Sequence, residues 1–355
     1  MANSTSWHGD VVVIGAGPAG CATAAILARL GARIAIVDNG RRTTWPGETL
    51  PGGSTAVITD VLGESILEPH QQAYGVQAAW ETEDLQITDG LANPLGEGWL
   101  LDRRVFDDHA REAAIRHGAS GVNGHARVNR DAESTWRVEV AGNVLRAPIV
   151  VDATGRSASI ARRGGAELKR TERLLACIAT MDHPGDPVQA TTVESVPDGW
   201  WYSTPTPSGG RVLALVSDED SVPRGSNRAH WWLDSLEGTR HIRELISTRS
   251  MIDAAASQLH VSRAGTGWLD RPFGSDWVAV GDAAAHFDPL SSQGLLTGIL
   301  MGARAATAIA DNTLEDWAVD YQMIVHDHRE LAGHYYGLVE RWPESRFWSA
   351  RVHRG

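Results

Sequence analysis

Three glycines and one acid stand where they can do chemistry by placement rather than by reactivity. Gly15, Gly17 and Gly20 follow the apolar, β-branched run from Val11 to Ile14, which suits a parallel strand buried on both faces. At that spacing the first glycine permits a tight turn and the second lets a pyrophosphate approach the backbone. The third lets the next helix pack close to the strand. A helix opening at Pro18 turns its N-terminal amides toward those phosphates. A second apolar strand, Ile34 to Val37, ends in Asp38, where a carboxylate can bond a ribose hydroxyl. Together they make a complete strand–helix–strand nucleotide clamp. Residues 11–28 carry no charge, yet a signal peptide or membrane helix fits poorly, because Asp10 replaces a basic flank and glycine and proline interrupt the run.

Other residue types narrow the chemistry. Arg41 and Arg42 can either reach an adenosine phosphate or belong to a solvated basic loop. No histidine, cysteine or carboxylate set has metal-ligand spacing, and no Ser-His-Asp arrangement suggests itself. Trp200, Trp201 and Tyr202 could wall a flat substrate, but consecutive strand residues alternate faces, so at most two share a pocket. Trp231 and Trp232 read as packing a helix onto that sheet. The net charge of −12 argues against nucleic acid or an anionic membrane as partner. The two cysteines, Cys21 and Cys177, do not make a disulfide framework, so a reducing cytoplasm is the expected location. Fourteen tryptophans and a single lysine, Lys169, stand out among the 355 residues.

The elements that must position these residues are readable in order. Ser54 is expected to cap a helix running to about Leu62, and residues 75–80 read as a strand. The stretch beginning at Leu101 places Val105, Phe106, Ala110 and Ala113 on one helical face and stops at Gly118. Ile149 to Asp152 is an apolar strand running into the turn Ala153-Thr154-Gly155-Arg156, expected to border the nucleotide site. Strands without intervening helices, near 171–181, 189–195, 199–205 and 211–217, suggest an antiparallel sheet, with helices at 227–236 and 239–248. The first domain resumes with a strand from Trp277 to Val280, then Gly281-Asp282, a loop bracketed by Pro289 and Gly294, and a helix from Leu295 to Ala310. Its N-terminus aims amides at whatever lies before Ser291 to Gly294. The expected fold class is α/β, with a Rossmann-like nucleotide domain (1–161 and 266–325), an inserted antiparallel-sheet substrate domain (162–265) and a helical tail (326–355).

The clamp, the Asp152 to Arg156 turn and the Gly281-Asp282 segment with Pro289 and Gly294 together resemble the FAD-dependent monooxygenase and halogenase superfamily, built on the p-hydroxybenzoate hydroxylase fold. The likeness implies FAD as cofactor in a glutathione-reductase-type domain. It implies that Asp282 bonds the ribityl or pyrophosphate part and that the loop from Pro289 through Gly294 to Leu295 holds the flavin ring by backbone groups. Gly47-Glu48-Thr49 matches a flavin-side element, and Arg103 matches an FAD-contacting arginine. His286 and Asp288 lie in the loop that should approach the flavin and are the candidates for acid or base. Within the superfamily the chain is similar to tryptophan halogenases and their relatives through Gly199 to Pro205, a partial match to their aromatic element. The glutamate that contacts indole in those enzymes is replaced by Ser291. The lysine that carries oxidised halogen has no counterpart, since no lysine precedes Lys169.

The remaining relatives include flavoproteins that hydroxylate a peptidyl tryptophan during tryptophylquinone maturation, and the aromatic tail from Tyr335 to Trp348 is similar to theirs. What the resemblance implies is a monooxygenase that passes one oxygen from a flavin C4a-hydroperoxide to an electron-rich ring, an indole in a peptide or protein. Thr154-Gly155 stands where relatives that use NADPH directly carry Asp-Gly, which implies a separate flavin reductase. The alternatives are a halogenase of an indole or phenol, an alkene reductase of isoprenoid type, and a non-catalytic FAD-binding maturation factor.

Overall fold

The run Val11–Ile14 is the middle strand of a five-stranded, all-parallel sheet. In the computed structural model, which describes residues 6–352 apart from 42–46, 91, 92, 94, 132–134, 184, 187 and 247, its order is Trp277–Ala279, Ile149–Asp152, Val11–Ile14, Ile34–Asp38, Ser120–Asn123. Every residue of the two clamp strands is buried, as a sheet covered on both faces requires. The helix Pro18–Arg29 packs against it, and Arg103–Arg116 and Gly294–Asp311 lie on Pro18–Arg29. That last contact is close because Gly302 has no side chain: a Cβ there would sit 2.3 Å from the Ala19 carbonyl oxygen.

The larger sheet lies beyond. Its seven strands run His260–Arg263, Leu174–Asp182, Gly210–Asp218, Gly199–Pro205, Thr191–Val196, Gly75–Ala79, Gln86–Asp89. The strands expected between 171 and 217 are all present and antiparallel to one another. Two others come from residues 75–89, outside the 162–265 span, and Gly75–Ala79 joins Thr191–Val196 in parallel. One face packs on helices Asn227–Glu237 and Arg249–Ala256 through Trp201 and Trp232, whose rings sit 4.8 Å apart. The other carries Trp200, against which the last helices fold.

Three local expectations change. The residue capping Ser54–Leu62 is Gly53, at φ 83°, and Ser54 is the first helical residue, its hydroxyl donating to the Pro51 carbonyl at 2.6 Å. The helix expected at 239–248 is only His241–Glu244, whose start is fixed by the Glu194 carboxylate accepting from the amides of Arg240, His241 and Ile242, and a separate helix, Arg249–Ala256, begins after the extended Thr248. The expected start of the tail at 326 falls inside one continuous helix, Leu314–Gly337, which is followed by Arg346–Val352. We propose a division in which strands 75–89 count with the substrate layer and the tail begins at Leu314. No helix among the described residues is long and apolar enough to cross a membrane.

Candidate functional site

A cavity of about 490 Å³ runs between the two layers. At one end it is lined by Gly17 to Gly20, at the other by Trp200, Tyr202, Ala214 and Val216, and between them by Glu48, Arg103, Arg156, Asp282 and the segment Phe287 to Leu295. Strand alternation puts Trp200 and Tyr202 on this wall and Trp201 behind it. The floor is glycine: a Cβ placed on Gly17, Gly155 or Gly294 would meet nothing within 4 Å, so open space lies where side chains would project. Gly15 and Gly20 are closed instead, with hypothetical Cβ atoms 2.1 Å from the carbonyl oxygens of Ala153 and Gly15.

Two helix N-termini face this space, Pro18–Arg29 and Gly294–Asp311. Neither has a capping side chain or an acid in its first turn, so both positive dipole ends are left for a ligand. The turn opposite is held by Asp152. This fully buried carboxylate accepts from Thr154 N and Oγ1 (3.0 and 2.6 Å) and from the amides of Ile160 and Ala161 (2.8 and 2.9 Å), which fixes Ala153 to Arg156 at the cavity edge. Arg156 donates through Nε to Asp282 Oδ2 at 3.3 Å and to the Arg263 carbonyl. Arg103 bridges Glu48 and Asp107; burial opposes its charge, yet the two carboxylates together hold the proton more firmly than in a free guanidinium.

Of the expected site residues, Gly17, Gly20, Glu48, Thr49, Arg103, Trp200, Tyr202, Asp282, Asp288, Pro289, Gly294 and Leu295 line the cavity. Gly15 makes the turn beneath it, at φ 114°. Asp38 does not line it: its carboxylate accepts from the Gly40 amide at 2.8 Å and pairs with Arg111 at 3.2 Å. Arg41 is exposed and also stands away, while Arg42 lies outside the described residues. Ser291 is not at the wall but Ser292 is, because the turn Pro289–Ser291 ends with Ser292 in the left-handed region at φ 51°. His286 is buried in the strand Ala285–His286 and does not line the cavity; burial pushes its ring down to about 4, so it is neutral near pH 7.

Asp288 is the buried carboxyl of the aromatic end. Its Oδ1 accepts from the Leu290 amide at 2.9 Å and its Oδ2 from the Tyr336 hydroxyl at 2.7 Å, while burial and the Glu172 charge push it up to about 7. Sequence reasoning did not name Tyr336 as a site residue, and it placed Arg156 in a turn bordering the nucleotide site without giving it a role. The first comes from a helix far along the chain, and the second carries no motif of its own.

A family model described as lycopene cyclase protein matches residues 10–171. LodB of Marinomonas mediterranea, named as an FAD-dependent oxidoreductase, is 24% identical over 96% of this chain and 96% of its own. Digeranylgeranylglycerophospholipid reductase 2 of Methanopyrus kandleri is 27% identical over 86% of this chain and 78% of its own. Among solved structures, QhpG, a peptidyl tryptophan dihydroxylase essential for tryptophylquinone cofactor biogenesis, superposes with a TM-score of 0.83 at 26% identity, covering 97% of this chain and 79% of QhpG. Solved flavin-dependent halogenases share the fold. The expected likeness, fold class, oxidoreductase class and FAD cofactor are borne out. The residues fit that cofactor, since the open glycine floor and two uncapped helix starts suit a pyrophosphate and a flavin ring that gains negative charge on reduction.

Proposed function

We propose that this chain is an FAD-dependent monooxygenase that hydroxylates an electron-rich aromatic ring, a tryptophan indole carried in a peptide or protein, with electrons from a separate flavin reductase. The observation that carries this reading is the wall of the cavity beyond the nucleotide end. It is apolar and aromatic, formed by Ala176, Ile178, Trp200, Tyr202, Ala214 and Val216, and it holds no amine. The only lysine, Lys169, is exposed and paired with Glu167 at 2.9 Å, away from the cavity. A halogen-carrying lysine therefore has no candidate, which weighs against the halogenase reading. An isoprenoid reductase calls for a long apolar tunnel, whereas here Tyr202 and Asp288 put polar atoms into the wall.

Each residue has a task in this reading. Gly17 to Gly20 and the start of Pro18–Arg29 hold the pyrophosphate, Asp282 and Arg103 contact the polar parts of the cofactor, and Pro289 to Leu295 present amides to its ring. Bound FAD supplies the two electrons that take one atom of dioxygen to water and leave the other for the substrate. Trp200 and Tyr202 stack and orient the ring, and the buried wall keeps water from the reacting oxygen. A free amino acid would bring an ammonium and a carboxylate into this wall, at a cost of several kcal/mol when unpaired. A residue within a peptide brings neither.

The test is a competition with a flavin reductase, NADH, FAD and oxygen, in the presence of chloride and bromide. Equimolar free tryptophan and a tryptophan-containing peptide are offered and products read by mass. The peptide should gain the mass of oxygen and no product should carry a halogen isotope pattern. Preferential oxidation of the free amino acid, or any halogenated product, overturns the reading.

A further inference from the structure

We propose that Asp288 is the proton acceptor for the substrate ring, held at the cavity by a hydrogen-bond relay of fixed polarity that runs through the helix Leu314–Gly337. This rests on the aromatic-hydroxylase reading above. The indole N–H of Trp200 can only donate, and it donates to Tyr336 Oη at 3.0 Å. Tyr336 is thereby left to give its own hydrogen to Asp288 Oδ2, at 2.7 Å. The Leu290 amide occupies Oδ1. Each carboxyl oxygen keeps one further lone pair beyond these bonds, and since Asp288 lines the cavity we assign to them the uptake and release of a proton there. All three partners are at least nine-tenths buried, so no water competes for the relay.

The reaction needs such a group. Adding oxygen to an aromatic C–H forms a C–O bond and leaves the ring carbon with a proton to lose, the net change being ring C–H, dioxygen and reduced flavin to ring C–OH, water and oxidised flavin. Asp288 as carboxylate takes that ring proton as the C–H electron pair returns to the π system, then releases it to water. The charged and titratable groups facing it are Glu172, Arg351 and Tyr336, and His286 lies two residues before it in the strand Ala285–His286. Burial and Asp288 itself keep the Tyr336 hydroxyl protonated well above its usual range, so the relay does not reverse. The carboxyl titrates at about 7, within the working range of a general base.

The experiment joins a pH profile with an infrared titration of the FAD-loaded protein. In the wild type, kcat/KM for a tryptophan peptide should rise with pH through about 7, and the protonated-carboxyl band should disappear over the same range. Asp288→Asn should remove the band and the ascending limb and lower kcat by about a hundredfold. Tyr336→Phe takes a hydrogen bond from the carboxylate and should move both curves to higher pH, while Glu172→Gln removes a negative charge and should move both to lower pH. A limb that survives Asp288→Asn, or two variants that leave the band where it was, overturns the proposal. Should the wild type oxidise no aromatic peptide while the band still titrates and shifts in opposite directions, the relay stands and the substrate reading falls.

Discussion

At the scale of the residue, the glycines and the carboxylates divide the labour between space and charge. Gly17 contributes emptiness, and a valine there would push two methyl groups into the open space before the start of Pro18–Arg29. Asp282 contributes an acceptor beside Arg156. Gly17→Val and Asp282→Ala should therefore both emerge from purification with FAD lost, read as the flavin-to-protein absorbance ratio, while circular dichroism stays native. Full flavin content in either would remove that residue from the binding set. The glycines were legible because their meaning is backbone geometry, fixed within a few residues of the strand that precedes them. Asp38 was less so: the motif places it at the strand end, but its carboxylate is engaged by Gly40 and Arg111, and no local pattern announces an arginine more than 70 residues away. Tyr336 was illegible for the same reason, since its role exists only where a distant helix meets the sheet.

Elements were easier to read than their junctions. Periodicity and turn residues located the clamp helix, the strands of the large sheet and Gly294–Asp311, because each buries a face whose apolar spacing is written locally. The helix expected at 239–248 stops at Glu244, and the partner that fixes its start is Glu194, on another strand. Contacts between elements can be tested in the same spirit. Gly302 lets Gly294–Asp311 press against Pro18–Arg29, the two helices whose starts face the cofactor. Gly302→Ala puts a methyl group into backbone and Thr23 Oγ1, 3.0 Å away, and overpacking of this kind costs about 1–3 kcal/mol. Thermal unfolding should show a Tm lowered by several degrees, and flavin should be held more weakly, because the two N-termini are levered apart. An unchanged Tm together with unchanged flavin affinity would show the helices to be freer than their packing implies.

For the whole molecule, the tail and the large sheet are one assembly. Trp80, Trp200, Tyr336 and Trp348 form a connected group of rings, and Arg351, almost fully buried, ties Glu172 and Asp218 to the last helix. The strands at 75–89 bind the layers further, since they leave the nucleotide half of the chain early, complete the large sheet beside Thr191–Val196, and return before Arg103–Arg116 begins. This lending of strands bears on how the protein can be made. A fragment of residues 162–265 alone would present Thr191–Val196 as an open edge, five of whose six residues are buried in the intact chain, and unpaired backbone groups along such an edge recruit copies of the chain. The fragment should collect in inclusion bodies, and co-expression with a piece containing 1–161 should return it to solution as a complex. The pairing also joins residues more than a hundred positions apart, so closing the sheet waits on a long loop and sets the pace of refolding. A nascent chain thus carries Gly75–Ala79 paired with Gln86–Asp89 but open along its other edge until Thr191–Val196 has emerged, and it is in that interval that a chaperone would be needed.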